Sequence, residues 1–434
     1  MKTRRTLIQL CLLAALLLFK LNADAQPVVT QISAGWSFSM FVKSDGSLWG
    51  TGRNLEGELG NGTYNSTNLS QMMFSNGITA VAASSFGYTL FLSNSGSLWA
   101  MGYNIYGQLG DGTSNIKTNR PEMIVASNIM AISAGTDSLF ISNNGSLWGM
   151  GVNYDGELGD GTQNEHNLPE LIVSNGVASI AAGSACSLFL SNNGSLWGMG
   201  DNSDGELGDG TYNNTNLPEM IVNSNVIAIA VGGYTSIPEN HTLFIKGDGS
   251  LWGMGENQYG QLGDGTYNGT NLPEMIVASN VVSIAVGEGN SLFVKSDSSL
   301  WVMGLNSDGQ LGDGTYNNTN LPEMIVPGNV TAVAGGDFHS LLLKSDGSLW
   351  AMGDNNYGQL GDGTLSNTNR PEPICANYFP LSGRLSVSTD VPYYAQGWMR
   401  LAFPGRYGSK KYALDRSSAL TPANWVPQSS NYIY

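Results

Sequence analysis

The sequence is poor in charged residues, and basic residues are the scarcest of them. Charged side chains make up 12% of the 434 residues, about half of the share found in ordinary soluble domains. Only 18 residues are Lys or Arg, against 34 Asp or Glu, which gives a net charge of −16. Because a nucleic-acid surface needs clustered basic residues to neutralise phosphates, this balance argues against a nucleic-acid partner. It fits a basic protein partner or divalent cations instead.

Cysteine is also scarce. The three cysteines are Cys11, Cys186 and Cys375. Cys186 fills a position that Phe38 and His339 fill in the repeats described below. A position that accepts such different side chains does not need a thiol, so we interpret Cys186 as a small buried residue and expect no disulfide.

Histidine occurs three times, as His166, His241 and His339. None of them has a partner at the spacing of a metal site or a catalytic triad within its repeat. We therefore expect no catalytic residues, no metal and no cofactor, and predict that the protein is not an enzyme. His241 and His339 are expected to be buried imidazoles that hydrogen-bond to neighbouring backbone.

No apolar run is long enough for a comfortable membrane span. The longest, Leu7–Phe19, follows a basic start and precedes Ala23-Asp24-Ala25, a small-x-small cleavage pattern. This order is typical of a secretory signal peptide, which we assign to residues 1–25. Its removal leaves 14 basic and 33 acidic residues, a net charge of −19. We predict a protein that is secreted or resides in the periplasm or cell envelope, with no membrane span in the mature chain.

Glycine is abundant, 57 of 434 residues, because one Gly-rich motif is repeated seven times. Ser250–Val277 and Ser299–Val326 are nearly identical. Tryptophans mark the period at Trp49, Trp99, Trp148, Trp197, Trp252, Trp301 and Trp350. Their spacings are 50, 49, 49, 55, 49 and 49 residues, so one insertion lies in the fifth repeat. A period near fifty residues predicts a repeat architecture.

Each repeat contains four short segments with strand character. An apolar stretch such as Val282–Gly287 precedes a short strand, an Asp-Gly or Asn-Gly turn, the strand SLWGMG, a long Gly-rich turn and the strand PEMIV. Asp-Gly between apolar runs predicts a tight hairpin with both turn residues at positive φ. We expect Trp301 to be buried between sheets, with its indole N–H bonded to backbone. Four antiparallel strands in each of seven repeats predict an all-β fold, a seven-bladed β-propeller over residues 26–377.

The motif Trp-Gly-x-Gly-x-Asn-x-x-Gly-Gln-Leu-Gly-x-Gly occurs, for example, at Trp252–Gly265 and Trp350–Gly363. It is similar to the repeat of the regulator of chromosome condensation family. A second signature of that family is matched by Val333–Leu343. The resemblance covers about 350 residues and implies a seven-bladed propeller. The family's histidine position is kept only by His339 and, with a shift, by His241.

After Cys375 the repeat ends. Residues 378–434 are richer in Tyr, Pro, Arg and Lys, with short alternating runs. Their last part resembles a fragment of a small β module found at the ends of secreted proteins. We assign them to a β-rich C-terminal appendage, with too few residues for a large independent core.

Two recurring side chains look like ligands and have a simpler structural interpretation. A Met follows each Trp by two residues from the second repeat on, and we interpret these residues as core filler between sheets. Gly-Asp-Gly-Thr recurs in the long turns, but it supplies one carboxylate per repeat, whereas calcium loops place several oxygen ligands at alternate positions. We expect that Asp to hydrogen-bond its own turn.

Two positions in the long turn vary although their neighbours hardly change. The first holds Arg53, Tyr103, Val152, Asp201, Glu256, Leu305 and Asp354. The second holds Glu56, Tyr106, Asp155, Asp204, Tyr259, Asp308 and Tyr357. Tyr and Asp on one rim are typical of a protein-binding surface, although drift on a solvated loop would give the same variation. The predicted partner-binding residues, which we expect on turns, are Tyr106, Asp155, Asp204, Tyr259, Asp308 and Tyr357, with Tyr234 and Glu239 of the insertion.

The function that fits these features is a secreted, monomeric, non-enzymatic scaffold that binds another protein by one rim. Three alternatives stay open: an inhibitor of an extracellular enzyme, a carbohydrate-binding or adhesion module, and, by family analogy, a guanine-nucleotide exchange factor. The exchange activity would need a cytosolic or nuclear partner, which the leader argues against. An acidic cluster at the ring centre would favour an enzyme or a metal site instead.

Overall fold

The structure is a computed structural model that describes residues 26–234 and 237–374, and three short strands further on. The predicted leader, Cys375 and most of the predicted appendage lie outside the described residues. Every regular element in the described part is a β-strand. The described residues contain no helix that is both long and apolar enough to cross a membrane.

Seven antiparallel four-stranded sheets form the blades of the predicted propeller. The first strands are β1 (Val29–Ala34), β5 (Ile78–Ala83), β9 (Ile129–Ala134), β13 (Val177–Ala182), β17 (Val226–Tyr234), β21 (Val281–Val286) and β25 (Val330–Gly335). The second strands are β2 (Phe38–Lys43), β6 (Tyr88–Ser93), β10 (Asp137–Ser142), β14 (Cys186–Ser191), β18 (Ile237–Lys246), β22 (Asn290–Lys295) and β26 (His339–Lys344). The third are β3 (Leu48–Gly52), β7 (Leu98–Tyr103), β11 (Leu147–Gly151), β15 (Leu196–Gly200), β19 (Leu251–Gly255), β23 (Leu300–Gly304) and β27 (Leu349–Gly353). The fourth are β4 (Thr67–Phe74), β8 (Lys117–Val125), β12 (His166–Val173), β16 (Thr215–Val222), β20 (Thr270–Val277), β24 (Thr319–Val326) and β28 (Thr368–Pro373).

The predicted Asp-Gly hairpin joins the second and third strands. In the first blade the Gly46 N–H donates to the Lys43 carbonyl over 2.8 Å. Gly46 has φ 76°, but Asp45 is not at positive φ, so the expectation of two positive-φ residues is wrong. One left-handed glycine after an ordinary turn gives the hairpin that carries a glycine bulge.

Neighbouring blades pack closely where a methionine of one blade lies against a glycine of the preceding blade. The predicted core methionines, such as Met303, are fully buried. A Cβ atom added to Gly263 in the preceding blade would overlap Sδ of Met303. Gly263 also has φ 68°, so the residue is required both for its backbone conformation and for the approach of the next blade. The interpretation of the methionines as core filler is confirmed.

The tryptophans correct one expectation. Trp301 is half-buried rather than buried, and its indole N–H donates to the Ser299 hydroxyl over 2.9 Å, not to backbone. Its ring stacks on Phe293 with a centroid separation of 6.1 Å, and Lys295 Nζ lies 4.0 Å from the ring centroid. The ring is therefore shielded by an aromatic on one strand and an ammonium above it, since cations favour the faces of aromatic rings.

His241 and His339 are fully buried, as predicted, but they bond a side chain of the next blade instead of backbone. His339 Nε2 lies 2.9 Å from the Ser39 hydroxyl, and His241 Nε2 lies 2.8 Å from that of Ser291. Burial lowers the pKa of both imidazoles to about 3, so both are neutral. Cys186 occupies the same position in its blade, as a free and fully buried cysteine.

The ring closes between the seventh blade and the first by side-by-side packing. Each blade consists of four consecutive strands, so no strand is exchanged between the two ends. Val29 and Ile374 belong to one buried cluster. The Thr51 hydroxyl, which stands where the other blades have Met, donates to the Gly358 carbonyl over 2.8 Å. The expected proximity of the first strand to the end of the last repeat is confirmed.

A second unit lies within Asn377–Tyr434. Its described residues form a three-stranded antiparallel sheet. The strands are β29 (Ser386–Val387), β30 (Arg400–Ala402) and β31 (Tyr412–Ala413).

Candidate functional site on the long-turn rim

The turns between the third and fourth strands all lie at one end of the ring, which we call the long-turn rim. Its segments are residues 53–66, 104–116, 152–165, 201–214, 256–269, 305–318 and 354–367. The shorter turns between the first and second strands lie at the same end, because consecutive strands in each blade are antiparallel.

A buried asparagine fixes each long turn. In the sixth blade Asn306 Oδ1 accepts from the Leu311 N–H over 3.0 Å, and Nδ2 donates to Asp313 over 3.0 Å. Asp313 also accepts from the Thr315 N–H over 2.7 Å. The predicted role of the Gly-Asp-Gly-Thr aspartate within its own turn is confirmed. These residues build the turn, so the side chains free to vary are those around them.

The six predicted residues on the long turns are all half-buried. All three aspartates also join blades, since Asp204 accepts from the Asn240 N–H of the fifth blade over 3.4 Å. Asp155 accepts from Asn214 Nδ2 over 2.9 Å, and Asp308 accepts from Asn367 Nδ2 over 3.1 Å. These carboxylates therefore support the rim as well as forming part of its surface.

The insertion differs from the expectation. Tyr234 ends β17 and Glu239 lies in β18, so both stand on strands and not on a turn. The added residues extend the hairpin between the first two strands of the fifth blade, with Tyr234 paired to Ile237. The reason is that continued strand pairing satisfies backbone groups that a protruding loop would leave to water.

The structure brings two predicted residues, Tyr106 and Asp155, together in one cavity. The cavity has a volume of about 460 Å³ and extends over the rim of blades two to five. Four further lining residues define its chemistry. They are Phe86, Tyr154, Glu157 and Asp201.

One side of this rim cavity is aromatic. Tyr106 stacks on Phe86 with centroids 5.6 Å apart and meets Tyr154 edge-on at 5.9 Å. Tyr154 is 56% exposed, and its hydroxyl hydrogen-bonds to Glu165, which raises the pKa of Tyr154 to about 12. A ring this exposed next to two stacked rings is an available contact surface.

The other side of the rim cavity is acidic. Glu157 is 1% exposed, and burial raises its pKa to about 7, with the charges of Asp155 and Asp201 adding to the effect. Burial and then the charge of Asp201 raise the pKa of Asp155. In the adjoining blade, burial followed by the same charge raises the pKa of Glu206 to about 8. Among the described residues that line the cavity, none is a lysine or arginine.

Sequence reasoning missed Phe86, Tyr154 and Glu157. The available signal was the irregularity of repeats two and three before their second strands. The turn that follows β5 has four residues, 84–87, and the turn that follows β9 has two, 135–136, where the first blade has three, 35–37. The longer turn carries Phe86 and the shorter one carries Thr136, and both residues line the cavity, so the cavity lies where the repeat departs from its pattern.

The central channel has a different character. It is lined by the first strands of all seven blades with Ala, Gly, Ser, Val and Ile side chains. No Asp or Glu is among the described residues that line it. The acidic side chains that converge are on the rim.

The sequence and the fold were compared with known proteins. The profile of the Regulator of chromosome condensation (RCC1) repeat matches residues 144–190, 193–237, 248–294, 297–343 and 346–382, just over half of the chain. A second profile of the same repeat matches residues 29–58, 177–206, 281–310 and 330–359. A sequence search of curated proteins gives no significant match.

Several solved structures share the fold. Human WBSCR16 is 23% identical, with a TM-score of 0.66, over 76% of this chain and 93% of that one. Yeast RCC1 (Prp20) bound to Kap60 is 21% identical, with a TM-score of 0.65, over 80% and 85%. Prp20p from Saccharomyces cerevisiae is 21% identical, with a TM-score of 0.64, over 80% and 87%. With repeat matches over more than half of its length and seven blades in the matching fold, the chain belongs to the family of RCC1-repeat proteins.

Proposed function

We propose that the protein is a secreted, non-enzymatic scaffold that binds another protein through its long-turn rim. The observation that carries the proposal is the rim cavity, where Tyr106 and Asp155 meet Phe86, Tyr154 and Asp201. Aromatic side chains give a large contact area at low entropic cost, and acidic ones steer a basic partner. The repeated framework below them holds their backbone in place.

Two further observations support parts of this proposal. The basic start, apolar run and cleavage pattern of residues 1–25 favour export. Prp20, which shares the fold, has been crystallised bound to Kap60 and studied for binding to Gsp1p and histones. An identity of 21% supports a shared fold but does not indicate a shared partner. The chain's own rim is therefore the basis for choosing protein binding over exchange activity.

Affinity capture with variants of the rim tests the proposal. The purified chain is immobilised and exposed to the extracellular and envelope fractions of the source organism. Tyr106→Ala with Tyr154→Ala should weaken capture of a specific protein at least tenfold, about 1.4 kcal/mol. Tyr259→Ala with Tyr357→Ala tests rim residues of the fifth and seventh blades that do not line the cavity, where we expect about 1 kcal/mol for each residue that contacts the partner.

The matched control is Leu217→Ala with Met220→Ala. These side chains are 56% and 54% exposed on the outermost strand of the fourth blade, and neither lines the rim cavity. Replacing Asp155, Asp204 and Asp308 by Asn should mainly slow association and reduce its dependence on salt. Capture that survives all rim changes but is lost in the outer-strand control would place the binding surface on the blade edges and refute the proposal.

A further inference from the structure

The first blade shows how this fold accommodates a buried glutamate on the rim. Arg53 Nη1 donates to Glu58 Oε1 over 2.8 Å, and Nη2 donates to Glu56 over 3.1 Å. The guanidinium carbon lies 4.5 Å from the ring centroid of Trp36. The second oxygen of Glu58 accepts from the Glu56 N–H over 2.8 Å. Every feature of a bound arginine is present: two carboxylates and an aromatic face.

The third blade has the same glutamate without the arginine. Glu157 corresponds to Glu58, and its Oε2 accepts from the Asp155 N–H over 2.9 Å, just as Glu58 accepts from Glu56. Val152 stands in the position of Arg53. Glu157 Oε1 is buried and has no hydrogen-bond partner among the described residues. A buried carboxylate oxygen without a partner is costly, so this one is placed to receive a donor.

The position of the missing guanidinium opens into the rim cavity. The turn that follows β9 is one residue shorter than its counterpart in the first blade, and it has no aromatic equivalent of Trp36. Aromatic rings come instead from Tyr106 and Tyr154. Asp155 and Asp201 supply two more carboxylates to the lining. An arginine side chain entering this cavity from outside would find carboxylates and aromatic rings in the lining, the kinds of group that Arg53 meets inside the first blade.

The other blades do not share this arrangement. Glu206 uses both oxygens, accepting from the Asp204 N–H over 3.0 Å and from Asn240 Nδ2 over 3.1 Å. Gln108, Gln261 and Gln310 also leave one atom unpaired, but it is the nitrogen of a neutral amide. Among the described residues that correspond to Glu58 in the seven blades, Glu157 is therefore the one carboxylate with an unpaired oxygen.

We propose that the rim cavity receives an arginine side chain of the partner protein, which pairs with Glu157 and stacks on Tyr106 or Tyr154. This inference rests on the proposed function, because it names the chemistry that the partner presents. A guanidinium fits better than an ammonium, since it makes parallel hydrogen bonds to a carboxylate and stacks on aromatic rings. A metal ion fits less well, because no three acidic, His or Cys side chains among the described residues are placed to hold one.

The direct test uses Nα-acetyl-arginine amide as probe and its citrulline counterpart, which keeps the shape without the charge. Ligand-observed NMR titration of the purified chain at pH 8 should give at least tenfold tighter binding for the arginine compound. Glu157→Gln should weaken arginine binding at least tenfold. This substitution reproduces the Gln of four other blades and retains an oxygen for the Asp155 N–H, so the fold is expected to tolerate it.

A second variant fills the site from within. Val152→Arg recreates the Arg53 arrangement, and its own guanidinium should exclude the probe. The control, Glu170→Gln with Glu219→Gln, removes two acidic charges from exposed positions on the fourth strands of blades three and four. It should bind the arginine probe as tightly as the parent. Together the three variants separate a specific site from general attraction to an acidic protein.

The outcomes are distinct. Equal binding of arginine and citrulline compounds, or a Glu157→Gln variant that binds like the parent, would overturn the inference. Displacement of the arginine probe by equimolar calcium would also overturn it, because the site would then be a cation site. Loss of partner capture in the tyrosine variants alongside either result would leave the proposed function intact. If the probe binds as expected but Val152→Arg captures the partner normally, the partner's arginine is not in this cavity and the inference fails.

Discussion

Replacing Glu157 by Gln should stabilise the protein, by a little at acidic pH and most at alkaline pH. The parent carboxylate is 1% exposed, and one of its oxygens lacks a hydrogen-bond partner among the described residues. Asp155 and Asp201 lie in its surroundings and add negative charge. Ionisation of Glu157 in the folded state is therefore unfavourable, and a neutral amide of the same shape avoids it.

The sign and size follow from the pKa. The pKa of Glu157 is about 7 in the folded protein, against an ordinary value of 4.5. Below pH 4.5 Glu157 is protonated in both the folded and the unfolded chain, so its ionisation does not affect the free energy of unfolding. Between pH 4.5 and 7 the folded state holds the proton more tightly than the unfolded chain does, so parent stability falls as pH rises, and above pH 7 the loss is constant. A difference of 2.5 pKa values corresponds to roughly 3 kcal/mol as an upper bound.

Urea unfolding of parent and variant at pH 5 and pH 8.5 measures this effect. The gain from Glu157→Gln should be small at pH 5 and reach roughly 2–3 kcal/mol at pH 8.5. Glu58→Gln is the matched control with the opposite sign. It leaves Arg53, 6% exposed, without its closest carboxylate and should cost about 3 kcal/mol, since breaking a buried pair strands the remaining charge. A gain that does not change with pH would show that ionisation of Glu157 is not its cause.

Three further predictions concern the ring. Trp301→Ala should cost about 2 kcal/mol by thermal unfolding, less than for a fully buried ring, because the indole is half-buried; an unchanged midpoint would mean that the Phe293 stack contributes nothing. Gly263→Ala should cost about 2 kcal/mol from its φ of 68° and the overlap with Met303; Met303→Ala in the same chain should recover part of that loss in a double-mutant cycle. Removing residues 330–374 should leave two open blade faces and an insoluble or molten chain; a soluble fragment that unfolds cooperatively would contradict closure by the seventh blade.

The fold could be predicted because its physical causes repeat in the sequence. Seven tryptophans, spaced by 49 or 50 residues and once by 55, count the blades, and Asp-Gly turns place the hairpins. Two of the errors concern hydrogen-bond partners of side chains. The indole of Trp301 bonds Ser299, two residues earlier in the same strand region, and His339 bonds Ser39 of the adjoining blade. Such partners depend on side-chain direction and on which blades touch, which the period alone does not specify.

The candidate site was only partly predictable. Variation between repeats identified Tyr106 and Asp155. It did not identify Glu157, because its position holds either Glu or Gln in every repeat and these two residues look equivalent in the sequence. The importance of a Glu at this position is visible only in the structure, where Glu58 pairs with Arg53, whereas Glu157 has Val152 in place of that arginine. The role of the insertion was misjudged because its length suggested a loop, whereas Tyr234 and Glu239 continue a strand pair.

Site-specific photo-crosslinking can show whether the partner binds at the long-turn rim. A benzoylphenylalanine at the position of Tyr154 lies beside the rim cavity, and one at the exposed Asn143 lies on the hairpin turn at the opposite end of the same blade. Both chains are irradiated in the fraction from which the parent captures its partner. Binding at the long-turn rim predicts an adduct of the chain with that partner from position 154 and none from position 143. An adduct from position 143 alone would contradict it and assign partner binding to the opposite end of the propeller.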